Sequence, residues 1–179
     1  MTNSNLTEEI EVIFSTPKKF IFSSFLLKTK FFGMGTPFSH TCLKIKSKTY
    51  KRTIIYEAGG NGILAIEFSN WQKKNKIVYS HEFKVSLIRK REIIGYCIDH
   101  LGIRYGWWTI IFLWLRDKLD FVINRGIDGT KSLICSEFAY LMLKEEVDEL
   151  YSQKDRDLPN TIDEMHPREL YNALREIIA

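Results

Sequence analysis

The chain has 179 residues, of which 45% are hydrophobic, 27% charged and 13% aromatic. That balance excludes wholesale disorder, collagen-like repeats and a coiled-coil rod, and it suits one domain, residues 1–179, with a large-residue core. Lys plus Arg number 26 against 22 Asp plus Glu, a net charge of +4 that is scattered along the chain instead of concentrated on one element, so no nucleic-acid partner is expected.

Glu9–Ser15 alternates as a strand does, and Pro17 ends it. Phe20–Lys28 reads as a short helix or turn and Gly33–Pro37 as a loop. His40–Lys46 and Thr53–Ala58 read as two strands joined by Ser47–Tyr50. Gly59–Gly62 is a turn, Ile63–Phe68 a third strand, and Lys76–Leu87 holds one or two more. Lys90–Leu101 places Ile93, Ile94, Cys97, Ile98 and Leu101 on one helical face, with Gly102 as the stop. Trp107–Asn124 is a second, very apolar helical region. Ser132–Glu146 is a third helix, with Ile134, Phe138, Leu141 and Met142 inward. Asp155–Asn160 is a loop, and Pro167 opens a final helix whose stripe is Leu170, Leu174, Ile177 and Ile178. The expected class is α+β, a central antiparallel sheet packed against helices.

Two apolar runs need separate treatment. Phe20–Leu27 has Glu8, Glu9 and Glu11 upstream and no small-residue cleavage site, so it is not read as a signal peptide. Trp107–Leu115 is too short for a membrane helix, which needs about 20 residues. It reads as a buried helix or as a hydrophobic lip over a cleft. The expected localisation is therefore cytoplasmic as synthesised. The Lys-, Asn- and Ile-rich composition fits a bacteriophage or low-GC bacterial source, for which virion association or release by lysis is the route to a cell wall.

Cys42, Cys97 and Cys135 make an odd, widely spaced set. They form no disulfide framework and no zinc-ligand spacing, so reduced thiols and neither metal nor organic cofactor are expected. Cys135 stands apart. If Ser132 caps the helix that follows, Cys135 sits near its first turn, where the helix dipole and free N–H groups favour a thiolate and could help bind an oxyanion. Cys42 and Cys97 lack that context and read as core residues.

A parity argument supplies a partner. With Ser47–Tyr50 as the hairpin loop, Lys46 pairs with Lys51, Lys44 with Thr53, Cys42 with Ile55, and His40 with Glu57. His40 and Glu57 would then share a face, with Cβ atoms about 4.5–5.5 Å apart, close enough for the carboxylate to hold the imidazole and favour its protonated form. Glu67 is the reserve carboxylate. His81, His100 and His166 read as non-catalytic. Together Cys135, His40 and Glu57 suggest a thiol nucleophile, its base and an orienting carboxylate.

Four segments, Phe38–Ile45 (FSHTCLKI), Tyr56–Ile63 (YEAGGNGI), Leu101–Gly106 (LGIRYG) and Leu133–Phe138 (LICSEF), together with Ile162–Leu170 (IDEMHPREL), resemble the circularly permuted papain-like amidases, the YiiX-type relatives of NlpC-type peptidoglycan peptidases. The resemblance covers about residues 10–170. It implies a permuted papain-like fold with a barrel-like sheet, Cys135 as nucleophile, His40 as base, Glu57 as orienter, and Tyr105 and Ser39 at the substrate or oxyanion position. Ser136 and Glu137 take helix-start and structural roles. It implies cleavage of an amide in a cell-wall peptide, another peptide or an amino-acyl substrate. The chain departs from the family pattern in a long apolar insertion at about 107–130, whose Trp107–Leu115 stretch would suit a lipid or other hydrophobic partner. A thioesterase or acyltransferase acting on lipid is the enzymatic alternative. A non-catalytic binding or structural module, in a virion or a host-interaction complex, is the other. Nothing in the sequence specifies an oligomeric state.

Overall fold

The computed structural model describes residues 7–19, 36–47, 51–106, 132–153 and 167–178. The readings at Phe20–Lys28, at most of the Gly33–Pro37 loop, at the 107–130 insertion, at Asp155–Asn160 and at His166 lie outside the described residues.

Five strands form one antiparallel sheet: β1 (Thr7–Pro17), β2 (His40–Ser47), β3 (Arg52–Gly59), β4 (Gly62–Glu67) and β5 (Asn75–Ser86), in the order β4-β3-β2-β1-β5. The sheet is open, with β4 and β5 at its edges. This corrects the barrel-like closure expected above: β4 and β5 each pair on one side only, and no ladder joins them among the described residues. Among the described residues five helices accompany the sheet: α1 (Phe68–Lys74), α2 (Leu87–Asp99), α3 (Cys135–Met142), α4 (Lys144–Gln153) and α5 (Pro167–Ile178). Two short parallel strands, β6 (Arg104–Tyr105) and β7 (Ser132–Leu133), form a separate ladder. The class is α+β.

Strand periodicity sorts the residues into two layers. Ile10, Val12 and Phe14 of β1, Leu43 and Ile45 of β2, and Tyr56 and Ala58 of β3 face the main core, which α3 and α5 cover with Phe138, Met142, Leu170 and Leu174. The alternate residues Ile13, Cys42 and Ile55 face a smaller cluster closed by Trp71 of α1. An aromatic knot holds α5 in place. Tyr171 lies 5.5 Å from Phe14, 5.1 Å from Phe38 and 5.0 Å from Tyr79, ring centre to ring centre, within the range of favourable aromatic pairs. Phe38 precedes His40 by two residues, so the knot anchors the entry to β2.

Several boundaries differ from expectation. The β2–β3 strands end at Ser47 and begin at Arg52, which pair with each other. The connection therefore lies one residue later than expected, with Lys51 in the left-handed region at φ 51°. The ladder runs Lys46↔Thr53 and Lys44↔Ile55, a shift of two residues from the expected pairing. A two-residue shift preserves side-chain parity, so His40 and Glu57 stay on one face but meet diagonally.

α2 starts early because Ser86 caps it, its hydroxyl accepting from the Arg89 amide at 3.1 Å. Its inward face is Lys90, Ile93 and Cys97, while Ile98 and Leu101 are exposed. The buried Lys90 ammonium donates to Glu8 at 2.9 Å and to the Lys46 carbonyl at 2.6 Å, which is what makes its burial tolerable. The expected helix over Ser132–Glu146 is β7 followed by two helices that break at Leu143, and Leu141 is exposed. α1 was not expected at all. Among the described residues no helix is long and apolar enough to cross a membrane.

Candidate active site

Cys135 is the first residue of α3, with Ile134 in the N-cap position. The cap is not Ser132, which belongs to β7. Ile134 has no side-chain oxygen to offer, and the Glu137 carboxylate reaches back instead to accept from the Ile134 amide at 2.9 Å. That is the return half of a capping box, and it gives the buried Glu137 the structural role expected of it. α3 packs across β2 and β3, which carries the thiol to the start of β2.

There it meets His40. The imidazole Nε2 lies 2.9 Å from Glu57 Oε2, leaving Nδ1 as the nitrogen that hydrogen-bonds the Cys135 thiol. Thr41 contributes a backbone hydrogen bond to the same sulfur and Tyr105 a side-chain one. The three residues expected to work together, Cys135, His40 and Glu57, are thus in one chain of contacts, with Tyr105 at its sulfur end. The side chains of His40 and Glu57 are 19% and 14% exposed, so their pairing is only weakly screened.

Tyr105 reaches this position through a relay of backbone bonds. The Ile63 amide donates to the Ile103 carbonyl at 3.0 Å, and the Gly102 amide donates to the Ile63 carbonyl at 2.9 Å. β6 then pairs with β7, setting Tyr105 beside Leu133, two residues before Cys135. Gly62 is required at this junction. Its φ is +94°, and an added Cβ would stand 2.6 Å from the Ile103 carbonyl oxygen. Ser39 is buried, and its amide donates to the Ser15 carbonyl at 3.0 Å. That bond pins the approach of the chain to His40.

No protein-family model matches the chain, and no curated protein matches it. The site is therefore read from its own geometry and charge.

Burial opposes charge on His40, but the hydrogen bonds to Cys135 and Glu57 and their negative charges outweigh it and raise the imidazole to about 10. Burial likewise pushes the Cys135 thiol up. The His40 hydrogen bond and charge, the Thr41 backbone and the Tyr105 hydroxyl reverse that and hold it below the ordinary thiol value of 9.0. Glu57 follows the same pattern: burial raises it, while His40, the Trp71 indole and the charge of Lys74 bring it below 4.5. The three shifts run in the directions that favour a thiolate, an imidazolium and a carboxylate in a row.

Other expected candidates fall elsewhere. Glu67 is exposed at the end of β4, opposite Ile54. His81 packs edge-on against Phe83, 4.7 Å between ring centres. His100 caps the end of α2, with Nδ1 2.7 Å from the Tyr96 carbonyl. Among the described residues no three His, Cys, Asp or Glu side chains gather as a metal site would require. Trp71 escaped the sequence reading. Its indole Nε1 donates to Glu57 Oε2 at 2.8 Å. A tryptophan in an otherwise polar, lysine-rich stretch between two strands was the available signal.

Proposed function

We propose that the protein is a cysteine hydrolase of permuted papain-like architecture that cleaves an amide bond in a peptide, cell-wall peptide or amino-acyl substrate. The observation that carries this reading is the His40 imidazole held between the Cys135 thiol and the Glu57 carboxylate. The strands bearing His40 and Glu57 precede the cysteine helix, which is the order of the permuted group.

The chemistry follows from the charges. The Cys135 thiolate attacks the substrate carbonyl carbon, and the carbonyl π electrons move to oxygen, where the Tyr105 hydroxyl can donate. As the tetrahedral species collapses, the C–N bond breaks and the leaving nitrogen takes the proton from His40 Nδ1. This leaves a thioester on Cys135 and a neutral imidazole. Water then adds to the thioester carbonyl while His40 removes its proton. Collapse expels Sγ as thiolate, releases the carboxylic acid and restores the ion pair. Glu57 holds the ring so that Nδ1 faces the sulfur throughout.

The test is iodoacetamide labelling of the folded protein across pH, read by mass spectrometry at each cysteine. Cys135 is expected to label selectively near pH 6, with His40→Ala or Glu57→Ala removing the selectivity. Peptide amides and acyl esters are then screened side by side, which separates amidase from esterase or acyl-transfer chemistry. If Cys135 reacts no faster than a free thiol of pKa about 8.5, the triad is not assembled and a non-catalytic binding module is the better reading.

A further inference from the structure

Trp71 lies in the smaller core layer, 1% exposed, on a helix that has no other buried residue. Its ring stacks on Phe68 at 6.1 Å and 19° between planes and packs with Ile13, Cys42 and Ile55. Burying an indole leaves one N–H that must find an acceptor, because the indole can only donate. The acceptor is Glu57 Oε2, at 2.8 Å. The same oxygen takes the His40 Nε2 contact at 2.9 Å. One carboxylate oxygen is therefore held by two donors on the same face of the sheet: His40 at the start of β2, and Trp71 of α1, which closes the smaller cluster on that face.

We propose that Trp71 is a positioning residue for the triad, acting through Glu57. This rests on the reading of Cys135, His40 and Glu57 given above. A neutral donor suits the task better than a cation. It favours the ionised carboxylate and locks its rotamer, yet it brings no charge to compete with the imidazolium for the pair. The indole ring also covers the carboxylate with apolar surface, which keeps the His40–Glu57 interaction in a weakly screened environment. Without the indole N–H, Glu57 is free to turn away from Nε2, the imidazolium loses part of its stabilisation, and the thiol regains its proton at higher pH.

The experiment compares Trp71→Phe with Phe68→Leu, His40→Ala and the unaltered protein, using the pH profile of Cys135 alkylation. Trp71→Phe keeps an aromatic ring and removes the donor. Phe68→Leu keeps the donor and removes the stacking partner. The expected result is that Trp71→Phe moves the acid limb of the profile up by about one pH unit, a drop of about tenfold in rate at pH 6, while Phe68→Leu leaves the profile in place. A Trp71→Phe protein with the unaltered profile, or a Phe68→Leu protein with the same shift, overturns the positioning role. If His40→Ala also keeps the unaltered profile, it is the triad reading that fails, and the inference falls with it. If Trp71→Phe does not fold, the indole N–H resonance of the unaltered protein decides. A resonance that shifts with the titration of His40 supports the coupling, and one that ignores it overturns it.

Discussion

Cys97 in α2 and Cys135 at the start of α3 are both hidden from solvent, at 0% and 2% exposure, yet their thiols move in opposite directions. Burial alone pushes Cys97 up to about 12. The same burial acts on Cys135, but an imidazole, a backbone hydrogen bond and a phenol reverse it. Cys42 sharpens the contrast. It lies in the layer that holds Glu57, feels the negative charges of Glu57 and Cys135, and is driven well above 9.0 by burial first and those charges second. Proximity to the site is therefore not what activates a thiol. What matters is which charge faces it and whether a donor points at the sulfur.

The largest effect should come from removing that donor. In His40→Ala, Cys135 becomes a buried thiol without its imidazole, and its alkylation at pH 6 should fall on the order of 100-fold, toward the rate at Cys97. Retention of the unaltered rate would break the contrast between the two helices. Glu57→Gln keeps the shape and removes the charge, and a smaller loss of about tenfold is expected in the same assay.

The pH dependence of stability gives a subtler reading. Unfolded, the imidazole titrates at 6.5 and the thiol at 9.0; folded, the imidazole holds its proton to about 10 and the thiol loses its own below 9.0. Where the pH lies above both 6.5 and the folded thiol's lowered value but below 9.0, the pair carries one proton in either state and its contribution is flat. Above 9.0 the unfolded chain gives up its last proton while the folded imidazolium keeps one, so stability falls with rising pH. Cys135→Ala leaves His40 with Glu57 alone. Its imidazole then lacks one of the two partners that raise it, so the decline above pH 9.0 should weaken. Urea midpoints of the two proteins from pH 6 to 9.5 measure the difference. The smallest effect belongs to Cys97→Ala, which should cost about 1 kcal/mol by trimming a packed core and leave the labelling profile of Cys135 unchanged.

Much of this arrangement is legible in the chain. Alternation placed His40 and Cys42 on one face of β2 and Glu57 on the matching face of β3, and that parity survived a wrong loop boundary because moving the loop by one residue shifts the pairing register by two. Cys135 was separable from the other cysteines by its place before a helical pattern. The α2 face was misjudged because Lys90 reads as polar, and only Glu8, 82 positions away in sequence, together with the Lys46 carbonyl, makes it an inward residue. α1 was missed because seven residues carry too little periodicity to declare a helix.

Local pattern determined the strands and their facing residues, because alternation acts over a few residues, and it placed a helix at the thiol without fixing its cap or its ends. The tertiary structure alone decided that the thiol and the carboxylate approach one imidazole from different layers. α3 comes down on the main-core face, while Trp71 and Glu57 meet in the smaller cluster beneath. Contacts of that kind depend on how the layers stack around β2, and no spacing within one segment encodes them. The charge state of Cys135 belongs to the same category. Its own neighbours in sequence leave it a buried thiol, and residues brought from β2 and β6 shift it toward the thiolate.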